Sequence, residues 1–227
     1  MIRLPFAACL LAIVVTTSTA ANDDLKVPRG QLTFDAEGND DPKSVHFSRR
    51  PHVPSASSGV TIGRGYDLKE RSIAQAEKDL TAAGVPGPTA KSLADGAGKK
   101  GDDAKAYVKA NLAEVEITRA QQKALFAISY DEAAADVKRI CEKNDVVETY
   151  GKVDWDKLDP KVRDVLVDLR FRGDYTPASR KLVQPLAVKN DSVGLAKVMA
   201  DPANWPGVPK DRIERRKAYL VQATGRR

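Results

Sequence analysis

The chain has 227 residues, with 37 Lys and Arg against 31 Asp and Glu, which gives a net charge of +6. This mild positive charge is common in soluble proteins and also suits anionic surfaces such as cell wall or phospholipid head groups. Aromatic residues make up only 6% of the chain, and acidic residues interrupt its most basic stretch at 210–217. Both features argue against a nucleic-acid-binding protein.

The first predicted element is a signal peptide over residues 1–20. Arg3 provides a positive charge, an almost unbroken apolar run follows over 4–15, and Ser18-Thr19-Ala20 supplies small residues before a cleavage site. The apolar run is too short for a membrane span, which needs about 20 residues, and no later stretch is long enough. We expect cleavage after Ala20 and export to the periplasm or the medium.

The mature chain, 21–227, is predicted to form a single domain. Cleavage removes one basic residue, Arg3, and no acid, so the net charge falls from +6 to +5. It leaves Cys141 as the single cysteine, which excludes an intramolecular disulfide. The roughly 207 remaining residues are enough to bury a hydrophobic core without one.

The mature chain begins with a short helix and a hairpin. Pro28 favours a helix start, and Gly38 ends that helix after Glu37. A short strand is predicted around Val45 and Phe47, and residues 59–66 alternate as a second strand. We expect these strands to form a small antiparallel hairpin region.

Helical periodicity dominates from residue 70 onward. Thr118 and Gln121 form a capping-box pattern, Gly84 and Gly151 are helix stops, and Pro202 follows a helix. The predicted helices are 72–83, 88–95, 102–115, 118–130, 132–149, 159–171, 178–188, 191–200 and 209–224. The fold class is therefore α+β and mostly α, with a small β-hairpin lobe, a larger helical lobe and a substrate cleft between them.

Three polar residues in the N-terminal part have side chains suited to acid–base chemistry. Glu37 stands at the C-terminal end of a helix, where the dipole disfavours a charged carboxylate and partial burial would raise its pKa. Thr61 lies between Val60 and Ile62, so we expect its hydroxyl to face the cleft and hold a water. Asp67 follows the strand and could accept a proton from that water. Each residue also has a purely structural interpretation: Glu37 as a solvated surface acid, Thr61 as a strand former and Asp67 as a helix cap.

The combination of these residues resembles the phage-type lysozymes. Thr61-Ile62-Gly63-Arg64-Gly65 is similar to the T-I-G-x-G signature of that family, and Glu37-Gly38 to the E-G pair that ends its first helix. The order Glu, Thr and then Asp just after the strand is closer to the pesticin-like branch of bacteriocin muramidases. Further segments of about 30–224 that resemble the family are QQKALFAISY at 121–130, DLRFRGDYTP at 168–177 and RIERRKAYL at 212–220.

The resemblance implies a lysozyme-like fold and a muramidase activity. The enzyme would cleave the β-1,4 bond between N-acetylmuramic acid and N-acetylglucosamine, with Glu37 as general acid. Thr61 and Asp67 would position a water on the opposite sugar face, which predicts inversion at the anomeric carbon. The alternative is a non-catalytic glycan-binding or inhibitory module on the same fold.

Residues 63–66 are expected to contact the glycan. Gly63 and Gly65 would let the backbone approach the N-acetyl groups of the sugars. Arg64 could bind a stem-peptide carboxylate or a lactyl group. The alternative is that Arg64 is a solvated strand residue without a function in binding. Tyr66 completes the predicted substrate-binding set.

No cofactor or metal is expected, because His46 and His52 have no partners at ligand spacing. The expected partner is peptidoglycan, and a protein inhibitor or immunity protein would be a second one. We expect no nucleic-acid partner, no membrane span and a monomer.

Overall fold

The structure is a computed structural model, and it describes residues 25–222. The predicted signal peptide, 1–20, lies outside the described residues, as do positions 223 and 224 of the last predicted helix. The strands are β1, Thr61–Ile62, and β2, Tyr66–Asp67. The helices are α1 Gln31–Ala36, α2 Ile73–Ala82, α3 Gly87–Ala94, α4 Gly101–Asn111, α5 Arg119–Cys141, α6 Asn144–Tyr150, α7 Pro160–Arg172, α8 Pro177–Val188, α9 Ser192–Ala200 and α10 Lys210–Val221.

The predicted fold class, α+β and mostly α, is confirmed, and most helix boundaries agree with the sequence pattern. Thr118 accepts a hydrogen bond from the Gln121 backbone while the Gln121 side chain accepts one from the Thr118 backbone, so the predicted capping box is present. Gly84, with a φ of 81°, follows α2, and Gly151 caps α6. The described helices include none that is long and apolar enough to cross a membrane.

Two predicted elements differ from the structure. Two helices were predicted at 118–130 and 132–149, with a break at residue 131. In the structure α5 continues through residue 131 for a total of 23 residues, and α6 begins only at Asn144. The predicted break failed because the residues around Asp131 are all compatible with a helix. The strand predicted near Val45 is reduced to an isolated bridge between Asn39 and Phe47, and Val45 is 94% exposed.

An antiparallel hairpin is present, but it lies within the segment 59–66 and the residue after it, where a single strand was predicted, and the predicted partner strand near Val45 does not take part. Thr61 pairs with Asp67 and Ile62 pairs with Tyr66, and residues 63–65 form the turn. A two-residue strand is stable here because the protein covers it on both sides. The segment at His52 pairs with Thr61 on the edge opposite β2.

The long helix α5 joins the hairpin region to the helical body. Its Leu125 packs in one buried cluster with Val60 and Ile62 of the hairpin segment. Its Val137 and Ile140 pack in a second buried cluster with residues of α7 to α10. A third and smaller cluster lies where α1, α5 and α7 meet. Phe34 of this third cluster lies on α1, one turn before Glu37.

Candidate active site

Glu37 caps the C-terminal end of α1, as the sequence predicts. Its backbone N–H donates to the Thr33 carbonyl at 3.1 Å, and Gly38 follows with a φ of 145°. Its Oε1 accepts from Nη2 of Arg212 at 2.8 Å, and 22% of the side chain is exposed. The carboxyl group is thus held at the protein surface by a residue of α10.

Arg212 belongs to a buried set of charged residues that connects α1, α7 and α10. Its guanidinium lies 2.6 Å from Oδ1 of Asp168 and 3.1 Å from Oδ2. Nε of Arg216 donates to the same Oδ2 at 2.6 Å, and its Nη2 donates to Asp174 at 2.8 Å. Asp168 and Arg216 have no exposed area. We call Glu37, Asp168, Asp174, Arg212 and Arg216 the ionic network.

Burial raises the pKa of Glu37 above its usual value and is the largest effect on it. The positive charge of Arg212 and its hydrogen bond oppose this shift, and the negative charge of Asp168 adds to it. Arg172 lowers the pKa by a smaller amount. The net result is a carboxyl group that keeps its proton to a higher pH than an exposed Glu, which is what a general acid requires.

Thr61 and Asp67 lie directly opposite each other in the hairpin, so their side chains share one face. Both side chains form hydrogen bonds with the backbone of Gly59. Thr61 Oγ1 donates to the Gly59 carbonyl at 3.3 Å, and the Gly59 N–H donates to both oxygens of Asp67 at 3.2 Å. The Lys69 N–H donates to Asp67 Oδ1 at 2.7 Å. The structure therefore brings these two predicted site residues together.

Thr61 is not outward-facing, contrary to the expectation from strand alternation. It is only 4% exposed, and Val60 and Ile62 are fully buried. The strand is also paired on both edges: β2 lies on one, and on the other the Thr61 backbone exchanges hydrogen bonds with His52 at 2.8 and 2.9 Å. Side chains on both faces of the strand are covered, whereas a pattern of alternation assumes one open face.

Close approach within the protein explains Gly59 and Gly65 of the hairpin segment, and a positive φ explains Gly63 and again Gly65. A Cβ on Gly65 would lie 2.4 Å from Cε1 of Phe171, and one on Gly59 would lie 2.6 Å from Asp67 Oδ1. Gly63 and Gly65 have φ values of 66° and 87°, which favour glycine. The glycine cluster therefore does not require a bound glycan to account for it.

Arg64 and Tyr66 point into the protein, which corrects their prediction as glycan-contacting side chains. Arg64 is 3% exposed, so it is not a solvated strand residue either. Its Nη1 donates to the Phe34 carbonyl at 2.5 Å, and its guanidinium lies 3.9 Å from the centre of the Phe34 ring. Tyr66 is fully buried, and its hydroxyl donates to Asp79 at 2.8 Å. Both side chains fix the hairpin against its neighbours.

A groove of about 540 Å³ lies between the hairpin, α5 and α7. Gly65, Asp67 and Phe171 contribute to its lining, and so do charged residues of both signs, namely Glu70, Arg71, Glu132, Asp136, Arg139 and Arg170. Arg71 binds Glu132 end-on through its two terminal nitrogens at 2.6 and 2.7 Å, and Arg170 pairs with Asp136. We call this the charged groove.

An aromatic contact links the helix of Glu37 to the charged groove. Phe34 packs edge-on against Phe126 at 5.0 Å between ring centres, and Phe126 packs against Phe171 at 5.9 Å. Phe34 lies one helical turn before Glu37, and Phe171 lines the groove. Glu37 itself is not among the residues that line the charged groove, and its side chain contacts Arg212 of the ionic network instead.

Residues 30–217 match the family described as a domain of unknown function (DUF8812). The chain belongs to the DUF8812 family. A search of the curated proteins found no significant match. The region matched by DUF8812 begins just before α1 and ends within α10, so it contains Glu37, the hairpin, the charged groove and the whole ionic network.

Sequence reasoning did not assign a role to Asp168, Arg212 or Arg216 of this DUF8812 chain. Asp168 is the one acid in the apolar run VLVDL at 165–169, which is a pattern of a buried, paired carboxylate. Arg212 and Arg216 are four residues apart and so share one helix face. Within residues 25–222, no cluster of three or more His, Cys, Asp and Glu side chains is placed to hold a metal ion.

Proposed function

We propose that this protein is a lysozyme-like muramidase in which Glu37 is the general acid. The observation that carries the proposal is the state of Glu37: it ends α1, contacts Arg212 at 2.8 Å, and has a pKa that burial raises. The resemblance of Glu37-Gly38 and of the T-I-G-x-G segment to phage-type lysozymes supports the substrate class. The bond cleaved would be the β-1,4 link between N-acetylmuramic acid and N-acetylglucosamine.

Glu37 would donate its proton to the glycosidic oxygen as the bond breaks. Protonation makes the leaving group neutral, and general acid catalysis of this kind contributes roughly 10²–10⁴-fold to the rate. A carboxyl group that is already ionised at the working pH could not do this. The raised pKa of Glu37 therefore matters directly for the reaction.

Asp67, with Thr61 opposite it, would position the attacking water. Asp67 accepts three hydrogen bonds from the backbone N–H groups of Gly59 and Lys69, and these bonds fix the orientation of its carboxylate. A carboxylate has about four acceptor sites, so one remains for a water. An inverting enzyme leaves about 6.5–9.5 Å between its carboxyl groups for that water. We propose inversion with Asp67 as the general base, and this proposal requires such a separation between Glu37 and Asp67.

The charged groove is the proposed glycan site. It is lined by Gly65 and Asp67 but not by Glu37, so a bound glycan would have to extend beyond the groove to reach the acid. The groove volume of about 540 Å³ suits a few sugar units. Backbone groups at Gly65 are open to the groove, whereas Arg64 and Tyr66 are turned away from solvent. Recognition of the sugars would then depend on the backbone and on the polar walls of the groove.

The test is digestion of purified peptidoglycan, with mass spectrometry of the soluble fragments. We expect the mature protein to release fragments with reducing muramic-acid ends, and Glu37→Gln to release them at a rate lower by roughly 10²–10⁴-fold. Asp35→Asn is the matched control, because this exposed acid is on the same helix and should leave the rate unchanged. Proton NMR of the first product would show the α-anomer if the reaction inverts.

Three results would contradict this proposal in different ways. Full activity of folded Glu37→Gln would remove Glu37 from the mechanism. Anhydro-muramic products would indicate a lytic transglycosylase, and a first-formed β-anomer would rule out the water-mediated inversion.

A glycan-binding or inhibitory module is the second candidate function. It is favoured by the internal hydrogen bonds of Thr61 and Asp67, because a structural role already accounts for both side chains. This candidate predicts that the protein sediments with insoluble peptidoglycan and releases no fragments. In that case Glu37→Gln would leave sedimentation unchanged.

A further inference from the structure

Arg212 is shared unequally between two carboxylates. Its Nε and Nη2 bind the two oxygens of Asp168 at 3.1 and 2.6 Å, whereas Glu37 receives Nη2 alone at 2.8 Å. Its third nitrogen, Nη1, donates to the Ala36 carbonyl at 3.3 Å. Asp168 is therefore the principal ionic partner of Arg212, and Glu37 is the secondary one.

Asp168 also has a second cation, Arg216, and neither residue has any exposed area. Arg216 is shared in turn with Asp174, which pairs with Arg172 as well. The charges of the arginines are thus largely taken up by acids other than Glu37. A buried arrangement of this kind is rigid, because each charge must keep its partners to offset the loss of water.

We propose that Asp168 is a positioning residue for Glu37: it holds the Arg212 guanidinium side-on and takes up its charge, so that Glu37 can retain its proton. This inference rests on the proposed role of Glu37 as the general acid. Asp168 does not touch the substrate in this scheme. It acts through Arg212, and it sets both the direction of the Glu37 side chain and the pH at which that side chain ionises.

The physical basis is competition for one cation. Without Asp168, Glu37 would be the nearest carboxylate to Arg212 and could form a two-point ion pair with it, which is a strong interaction away from water. That pair would favour the ionised form of Glu37. The charged groups that face Glu37 are Arg212 from α10 and Asp168 and Arg172 from α7. Of these, Asp168 raises the pKa of Glu37 and the two arginines lower it.

The experiment is an NMR titration of Glu37 in the full mature chain with ¹³C-labelled glutamate side chains, assigned with Glu37→Gln. Asp168→Asn should move the titration midpoint of Glu37 to lower pH, because Arg212 is released from its main partner. Arg212→Gln should move it to higher pH, because burial then acts without a counter-charge. Opposite shifts from two neighbouring changes are not expected from general damage to the packing.

Two further variants separate charge from packing. Asp164→Asn is the matched control: Asp164 is one turn away on α7, it accepts from Tyr130 at 2.6 Å, and its loss should leave the Glu37 midpoint unchanged. The double variant Asp168→Asn with Arg216→Gln removes one charge of each sign and so protects the fold. It should still show the shift to lower pH. An unchanged midpoint in this folded double variant would overturn the proposal.

The titration needs no substrate, so it separates this inference from the proposed function. If the protein releases no peptidoglycan fragments but the two shifts are found, the muramidase proposal fails and the coupling between Asp168 and Glu37 stands. If fragments are released but the shifts are absent, the muramidase proposal stands and the coupling between Asp168 and Glu37 fails. Where both hold, the high-pH limb of the hydrolysis rate should move to lower pH in Asp168→Asn, together with the NMR midpoint.

Discussion

The two halves of the candidate site are held in place by different kinds of interaction. Glu37 is positioned by side-chain charges from distant parts of the chain: Arg212 is 176 positions from Ala36 and 44 from Asp168. Thr61 and Asp67 are positioned by backbone groups that are two to eight positions away, at Gly59 and Lys69. One half therefore depends on the assembly of three helices, and the other on the local path of a hairpin.

This difference has a consequence for stability. The buried charges of the ionic network lose most of their hydration on folding, so removing one of them leaves others without a partner. The hairpin half contains hydrogen bonds from the Thr61 hydroxyl and to the Asp67 carboxylate, and all their partners are backbone groups. A neutral bond contributes about 1 kcal/mol net, and one to a charged group about 1.5–3 kcal/mol. Changes in the ionic network should therefore lower global stability much more than changes in the hairpin.

The largest effect is expected for Arg216→Met. Arg216 is fully buried between Asp168 and Asp174, and breaking a buried ion pair by removing one partner costs about 3–5 kcal/mol. The control is Arg215→Met, since Arg215 is half-exposed and only 3.8 Å from an exposed Asp211. A surface pair of this type contributes at most about 1 kcal/mol. Urea unfolding followed by circular dichroism measures both free energies of unfolding.

Equal decreases in the free energy of unfolding of Arg216→Met and Arg215→Met would contradict the buried role of Arg216. They would indicate that the ionic network is open to water in solution. The comparison also bears on the basic stretch at 210–217, because Arg212 and Arg216 are buried and add little positive surface there.

A smaller effect is expected when the hairpin turn is crowded. Gly65→Ala places a methyl group where Phe171 lies, 2.4 Å away, at a φ of 87°. Gly84→Ala has a similar φ, 81°, and no atom within 4 Å of the new methyl group. The left-handed backbone should cost each variant about 1–2 kcal/mol. Crowding should cost Gly65→Ala about 1–3 kcal/mol more.

Thermal unfolding of the two glycine variants provides the measurement. If both lose the same stability, Phe171 can move aside without cost, and the close approach does not explain the glycine. The difference between them, rather than either value alone, isolates the contact with Phe171, because the backbone strain is common to both.

The same contrast explains what the sequence could predict. The helix that ends at Glu37 and the Thr118 capping box are local patterns, and both are present in the structure. The glycines inside the predicted strand 59–66 instead mark a turn, so this segment forms a hairpin by itself. The burial of Thr61 was not predictable, because alternation assumes one open face, whereas Thr61 is only 4% exposed and both its neighbours are fully buried. The inward turn of Arg64 depends on Phe34, which is 30 positions away.

The ionic network was the least predictable part of the site. Its members are single charged residues on three helices, and their spacing within each helix only indicates a shared face. Which face meets which depends on the packing of α1, α7 and α10. An acid inside an apolar run, such as Asp168, is the one local sign that a buried cation must lie nearby.

The smallest effect on stability, and the most informative one for mechanism, is expected for Thr61→Val. The change keeps the shape of the side chain and removes one hydrogen bond, to the Gly59 carbonyl at 3.3 Å. A neutral bond contributes about 0.5–1.5 kcal/mol, and this one is long, so the free energy of unfolding should fall by an amount at the lower end of that range. Asp67 keeps its backbone partners in the variant.

If the Thr61 hydroxyl holds the attacking water, Thr61→Val should lower the rate of fragment release far more than its effect on stability implies, with binding to peptidoglycan unchanged. Thr61→Ser is the matched control, because it restores the hydroxyl and should restore most of the rate. A Thr61→Val protein with the wild-type rate would leave Thr61 as a structural residue whose hydroxyl serves Gly59. The positioning of the water would then depend on Asp67 alone, since Asp67 is the member of the pair that lines the charged groove.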